Sequence, residues 1–130
     1  MPFTLNRVGQ IGLAVRDVDA SEAFYRDKLG LRHLYRFGDL TFSDCCGVRL
    51  MLEKAREASY VGRASSMYFA CADIVLAVRE LGKRNVAFTS EPHLIAKMED
   101  HDLWMAFFED PDVNTLALMQ EAPKGYAPPG

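Results

Sequence analysis

The stretch Gln10-Ile-Gly-Leu-Ala-Val-Arg-Asp-Val-Asp-Ala-Ser-Glu-Ala-Phe-Tyr-Arg-Asp-Lys-Leu-Gly30 reads as a strand, an acidic turn and a helix. From Val8 to Val15 the residues alternate, with Ile11, Leu13 and Val15 on one face and Gln10, Gly12 and Ala14 on the other. The period then changes. Asp19 is expected to cap a helix, with Glu22 three positions on closing a capping box. Ala20, Ala23 and Phe24 give this helix a narrow apolar stripe. It ends at Leu29-Gly30, because glycine adopts the left-handed C-terminal conformation without steric cost.

The same order recurs further along. Met67, Phe69 and Cys71 alternate with Ser66, Tyr68, Ala70 and Ala72, and a helix is expected from about Asp73 to Arg84-Asn85, with Ile74, Ala77, Val78 and Leu81 on one stripe. Three strand-like runs follow each helix. In the first half they lie near Arg32–Phe37, Leu40–Asp44 and Val48–Glu53. In the second they lie near Val86–Ser90 (continuing unevenly past Pro92 to Met98), Asp102–Phe108 and Asn114–Gln120. Asp110-Pro111-Asp112 marks a turn before the last strand. The chain therefore reads as βαβββ twice. Gln10 and Ser66 are 56 positions apart, whereas Met51 and Ala117 are 66 apart, because the second middle hairpin is longer. A twofold internal repeat is a more specific fold signal than any single motif here. It implies an α+β domain over 1–122, with modules at about 8–53 and 66–120, a polar linker at 54–65 and a flexible Pro/Gly-rich tail at 123–130.

Composition narrows the function classes. The chain has 130 residues, 49% of them apolar and 25% charged, and a net charge of −3. At that length about two-thirds of the unfolded surface can be buried, so neither disulfides nor a structural metal is required. The mild acidity and scattered Lys and Arg argue against nucleic acid as a partner, since phosphate binding needs a basic patch. No apolar run approaches the ~20 residues that span a bilayer. The N-terminal heptad lacks the basic start and apolar stretch of a signal peptide. Cys45, Cys46 and Cys71 fit no disulfide framework. The expected setting is the cytoplasm, with reduced thiols.

The Gln10–Gly30 string, together with Phe108-Glu-Asp-Pro-Asp-Val-Asn114, resembles the vicinal oxygen chelate superfamily, which includes glyoxalase I, bleomycin-resistance proteins and extradiol dioxygenases. The resemblance covers about residues 8 to 120. The strings Asp44-Cys-Cys-Gly-Val-Arg-Leu-Met-Leu52 and His93-Leu-Ile-Ala-Lys-Met-Glu-Asp-His-Asp-Leu-Trp104 are similar to a branch of small bacterial members with no assigned reaction. The resemblance implies two βαβββ modules in an open eight-stranded cup with helices on its back, and a homodimer. In metal-using members a divalent ion is held by one residue from the first and last strand of each module.

The matching positions are Gln10, Met51, Ser66 and Ala117. Gln10 has a carbonyl oxygen, Met51 a soft thioether, Ser66 a weak neutral hydroxyl, and Ala117 no donor at all. The expected protein therefore uses no cofactor and binds a small organic ligand. The alternative is a metal-dependent lyase, isomerase or dioxygenase with atypical ligands. Strand parity places the four positions away from the helices, on a face shared by Arg49, Glu53, Tyr68 and Thr115. Arg49 and Glu53 also fit an ordinary ion pair at a strand edge or dimer seam. His93 fits either an acid or base at the rim or a hydrogen-bonded structural role. His101 is expected at a hairpin tip about five residues away, on the order of 17 Å at ~3.3 Å per residue, too far for joint chelation. Trp104 fits a lid over the ligand or a core position. His33 reads as a surface residue on an outer strand. Cys45 and Cys46 read as small buried residues. Val113 stands where related turns carry glycine, which implies an altered or strained turn.

Overall fold

In a computed structural model, residues 3–5 and 7–128 are described. Positions 1, 2 and 6 of the N-terminal heptad and 129–130 of the expected tail lie outside them. The chain divides into two compact units, Met1–Ala64 and Ser65–Gly130. Each is an open four-stranded mixed sheet with a helix, so the chain is α+β.

The first unit contains β1 (Gln10–Val15), α1 (Val18–Ala23), β2 (Arg32–Phe37), β3 (Leu40–Cys45) and β4 (Val48–Lys54). Its sheet order is β1-β4-β3-β2, with β1 parallel to β4 and the remaining pairs antiparallel. The second contains β5 (Met67–Ala70), α2 (Ile74–Lys83), β6 (His93–Lys97), β7 (Asp102–Glu109) and β8 (Thr115–Ala122), in the order β5-β8-β7-β6. The repeat extends to its irregularities. The register slips between His33 and Tyr35 in β2 and between Leu94 and Ala96 in β6. Both are outermost strands, where a bulge blunts an otherwise pairable edge.

The first helix departs from expectation at its start and in its course. Asp17, not Asp19, is its cap: the Asp17 carboxylate accepts from Ala20 N at 3.1 Å. Asp19 instead pairs with Arg36 of β2 at 2.8 Å. No capping box forms, because Glu22 takes the Thr41 hydroxyl at 2.9 Å and the Arg36 guanidinium at 3.1 Å. Starting two residues earlier lets Val18 and Ser21 face the sheet, whereas Ala20 is exposed. The helix then widens into a π turn over Phe24–Lys28, where Leu29 N donates to Phe24 O at 3.0 Å. The extra residue per turn brings consecutive Phe24 and Tyr25 inward together, edge to face at 5.2 Å. They close over Leu13, Val15, Leu50 and Leu52, each apolar side chain contributing about 1.5–3 kcal/mol. Gly30, at φ 79°, ends the segment as expected.

In the second unit Asp73 caps α2 at Leu76 N, and Asn85 takes φ 65° just beyond its end. Of the anticipated stripe only Ile74 is fully buried, while Ala77, Val78 and Leu81 are half-covered. Val86–Ser90 is not a strand. It contributes one isolated bridge, Phe88 to Phe108, and Ser90 meets the Phe107 N–H with its side-chain oxygen at 3.0 Å. A side chain thus replaces the backbone acceptor that a ladder would supply, and Pro92 lacks the N–H to continue it. β5 starts at Met67, so Ser66 lies outside the ladder.

Cys45 is half-buried, and Cys46 is exposed rather than interior. Cys46-Gly47 forms the two-residue β3–β4 turn with φ 47° and 96°, as a hairpin with positive φ at both positions requires. Past Ala122 the chain is tied back. Gly125 N donates to Asp102 Oδ2 at 2.9 Å, Lys124 Nζ donates to Met98 O at 2.6 Å, and Tyr126 stands edge-on to Trp104 at 5.7 Å.

Candidate functional site

Each sheet has one face packed by its helix and one free of it. In the first unit the cross-strand register orders the free face into three rows. Gln10, Arg49, Asp44 and Arg32 form the first; Gly12, Met51, Phe42 and Tyr35 the second; Ala14, Glu53, Leu40 and Phe37 the third. Gln10 joins the first two rows. Its amide nitrogen lies 3.6 Å from the Met51 sulfur, and its carbonyl oxygen accepts from Arg49 at 3.4 Å. Tyr35 packs on Phe42 at 4.7 Å and on Phe37 at 5.7 Å. A Cβ on Gly12 would stand 3.3 Å from the Met51 methyl, so the missing side chain leaves room for the thioether to lie across β1.

In the second unit, Tyr68, Ala117 and Phe107 share one row of the free face, and Ala70, Met119, Met105 and His93 the next. The His93 ring lies 6.1 Å from that of Phe107. Its Nδ1 is 2.9 Å from the Glu91 carbonyl, which can only accept, so Nδ1 carries the proton and Nε2 is left as the open ring atom. Of the two readings of His93, the structure shows the hydrogen-bonded ring.

The structure thus groups Gln10, Arg49, Met51 and Glu53 on one free face and Tyr68, His93 and Ala117 on the other. Arg49 and Glu53 are four residues apart on one strand and form no ion pair among the described residues. Trp104 is not with them. Its register partner is Gln120, whose Oε1 accepts from Ile74 N of α2 at 2.9 Å, so both side chains lie on the helix side, where Tyr126 covers the indole. Its Nε1 has no hydrogen-bond partner. His33 also faces the helix side, half-buried, with Nδ1 3.3 Å from Glu22 Oε1 but not aligned for a hydrogen bond. His101 sits at the β6–β7 turn, closed by Met98 N to His101 O at 2.8 Å, with its Nδ1 2.7 Å from Asp100.

Tyr35, Phe42 and Gly12 on one face, and Met105 and Phe107 on the other, were not singled out from sequence. Their alternation is visible, but which strand faces which depends on the two-residue turns and the β2 and β6 bulges. Three clefts within the units, of about 440, 300 and 320 Å³, include none of the free-face residues. The largest is lined by Arg16, Asp17, Asp19, Arg36, Asp39 and Lys54 at one end of the first sheet, where charges of both signs alternate. Neither half-buried thiol is activated: burial pushes Cys45 up, with Cys46 and Asp44 adding to it, and burial with Asp73 pushes Cys71 up.

Gln10, Met51, Ser66 and Ala117, the positions that the resemblance assigns to a metal, present only neutral side chains. Ala117 is fully buried and has no donor atom, Ser66 stands outside its ladder, and the Met51 sulfur is already in contact with Gln10. No cluster of three His, Cys, Asp or Glu is poised for a metal elsewhere among the described residues.

The model of the Glyoxalase/Bleomycin resistance protein/Dioxygenase superfamily matches residues 7–118, and the chain belongs to that superfamily. Among solved structures, it is similar to an integron cassette protein from the mobile metagenome of V. cholerae (17% identity, TM-score 0.76, covering 94% of this chain and 100% of that one). It is also similar to TnmS3, an antibiotic binding protein from Streptomyces (18% identity, TM-score 0.74, 93% and 100% covered). A lactoylglutathione lyase from Agrobacterium tumefaciens shares the fold at 19% identity and TM-score 0.71, with 94% and 98% covered. No curated protein matches the sequence. At these identities the likeness is one of fold.

Proposed function

We propose that this protein binds a small organic molecule on the helix-free faces of its sheets and that the superfamily's metal site is degenerate in it. The observation that carries this reading is the lining itself. In the first unit the Met51 thioether lies beside the rings of Tyr35 and Phe42, in the second those of Met105 and Met119 lie beside Tyr68 and Phe107, and none of Gln10, Met51, Ser66 and Ala117 offers a divalent ion a charged donor. Such surfaces suit planar apolar bodies, with Met adapting to shape and aromatics supplying area. The antibiotic-binding relative of the same fold is consistent with it. The three free thiols fit a reducing cytoplasm. Phe3, Leu5 and Val8, largely exposed ahead of β1, offer apolar surface to a second copy, in keeping with a homodimer.

The test is a thermal-shift screen of small organics beside elemental analysis of protein purified without added metal. A ligand at a hundred times its dissociation constant stabilises by about 2.7 kcal/mol. The expected result is a saturable hit that Tyr68→Ala or Gln10→Ala removes, from protein with substoichiometric metal. Stoichiometric Ni, Zn, Fe or Mn, lost together with an activity, overturns the reading in favour of a metal-dependent lyase, isomerase or dioxygenase.

A further inference from the structure

We infer that the free face of the first sheet selects molecules carrying an anionic group on a planar, aromatic body, and that Arg49 reads the anion. This rests on the ligand-binding role proposed above and names the class of ligand. Arg49 is exposed, and among the described residues its guanidinium meets only the neutral Gln10 oxygen, at 3.4 Å. Gln10 is oriented by the thioether on its other side, so it turns an oxygen, and not its N–H groups, toward the guanidinium. Most of the five guanidinium donors stay open.

The acidic neighbours do not cancel this charge. Asp44, across the ladder from Arg49, accepts the Gly47 N–H in the hairpin turn at 3.1 Å and has Arg32 on its other side. The row therefore nets one positive charge. Glu53 lies four residues along β4, on the order of 13 Å away at ~3.3 Å per residue. The next row supplies the platform. Tyr35, 40% exposed, packs against the buried Phe42 at 4.7 Å, and Met51 beside them extends its methyl over Gly12. Rows two residues apart are separated by about 6.6 Å. A ring resting on the second row thus brings an attached acid group within reach of the guanidinium, whose planar fork suits carboxylates and sulfonates.

The test compares two probes that share one ring system. 1-Anilinonaphthalene-8-sulfonate carries an anion, and N-phenyl-1-naphthylamine is the same skeleton without it. The wild-type chain is expected to bind both saturably by fluorescence titration, the sulfonate more tightly. Arg49→Gln, at an exposed position and with its fold checked by circular dichroism, is expected to weaken the sulfonate about tenfold, as loss of a charged hydrogen bond does, and to leave the amine within about twofold. Arg49→Lys should recover part of the loss. If Arg49→Gln weakens both probes equally, or neither, the inference is wrong while ligand binding stands. The same holds if the wild type prefers the neutral amine. If neither probe binds saturably, the ligand-binding role falls and this inference with it.

Discussion

Val113 is the residue at which chemistry and backbone disagree most openly. It is β-branched, 63% exposed, and held at φ 65°, where an L side chain costs roughly 1–2 kcal/mol. The turn imposes this on it. Asp110 Oδ1 accepts from both Asp112 N and Asn114 N at 2.9 Å, Oδ2 accepts from the Asn114 amide at 2.9 Å, and Val113 N closes on Asp110 O at 3.0 Å. Glycine has no such penalty but loses more chain entropy on folding. Val113→Gly is therefore expected to raise stability by about 0.5–1 kcal/mol, read as a higher urea midpoint at unchanged slope. A lower midpoint would mean that the Val113 side chain makes a contact worth more than the strain. The resemblance implies an altered or a strained turn here, because related turns carry glycine, and the structure shows Val113 at positive φ. The cap of α1 is less legible in the sequence. Asp17 and Asp19 are equally good caps locally, and the choice falls to Asp17 because Arg36, far along the chain, claims Asp19.

Elements were legible to the extent that local pattern governs them. β2 spans Arg32–Phe37, the strand-like run expected there, and α2 begins and ends at its Asp and Asn signals. Val86–Ser90 has a strand's composition and is not one, because its neighbour is met through a serine oxygen and a single bridge. What holds α2 to its sheet is a polar contact that composition does not announce. Gln120 is buried in β8, and its Oε1 accepts the N–H of Ile74, a fully buried residue in the first turn of the helix. That N–H has no intrahelical acceptor. Gln120→Leu fills similar space but strands the donor, so a loss of about 1–3 kcal/mol is expected in denaturant unfolding. A neutral result would show that water or another acceptor reaches Ile74 N. Ser90 and Gln120 illustrate one general limit: side chains that substitute for backbone partners are identified only once their neighbours in space are known.

For the whole molecule, acid is the informative perturbation. Asp27, Asp100 and Asp102 are among the carboxyls held below the ordinary Asp value of 3.8: Asp27 by Arg26, Asp100 by His101, and Asp102 by the Gly125 N–H, with Lys124 helping and burial opposing. A depressed carboxyl stabilises the fold fully above its unfolded value, and that stability is lost as pH falls through the folded one. Stability should thus hold from neutral pH down to about 5 and decline below about 4. Asp102 ties down the segment after Ala122, so a chain ending at Ala122 should melt lower at neutral pH, and the gap from the full chain should narrow near pH 3. Melting curves of both chains, with Trp104 fluorescence reporting release of Tyr126, check this. A gap independent of pH would assign the segment's contribution to ring packing alone.

The sequence by itself determined the βαβββ repeat, the strand and helix order, the superfamily and the residue types at the positions the resemblance singles out. All of these follow from short-range periodicity, turn chemistry and residue type. Only the tertiary structure decided which residues of different strands lie beside one another. It placed Gln10 between Arg49 and Met51, brought Tyr35 and Phe42 beside them, and turned Trp104 to the helix side under Tyr126. The physical reason is register. Side chains alternate every residue along a strand, so a single bulge or two-residue turn reassigns a whole face, and that setting is fixed by partners many residues away.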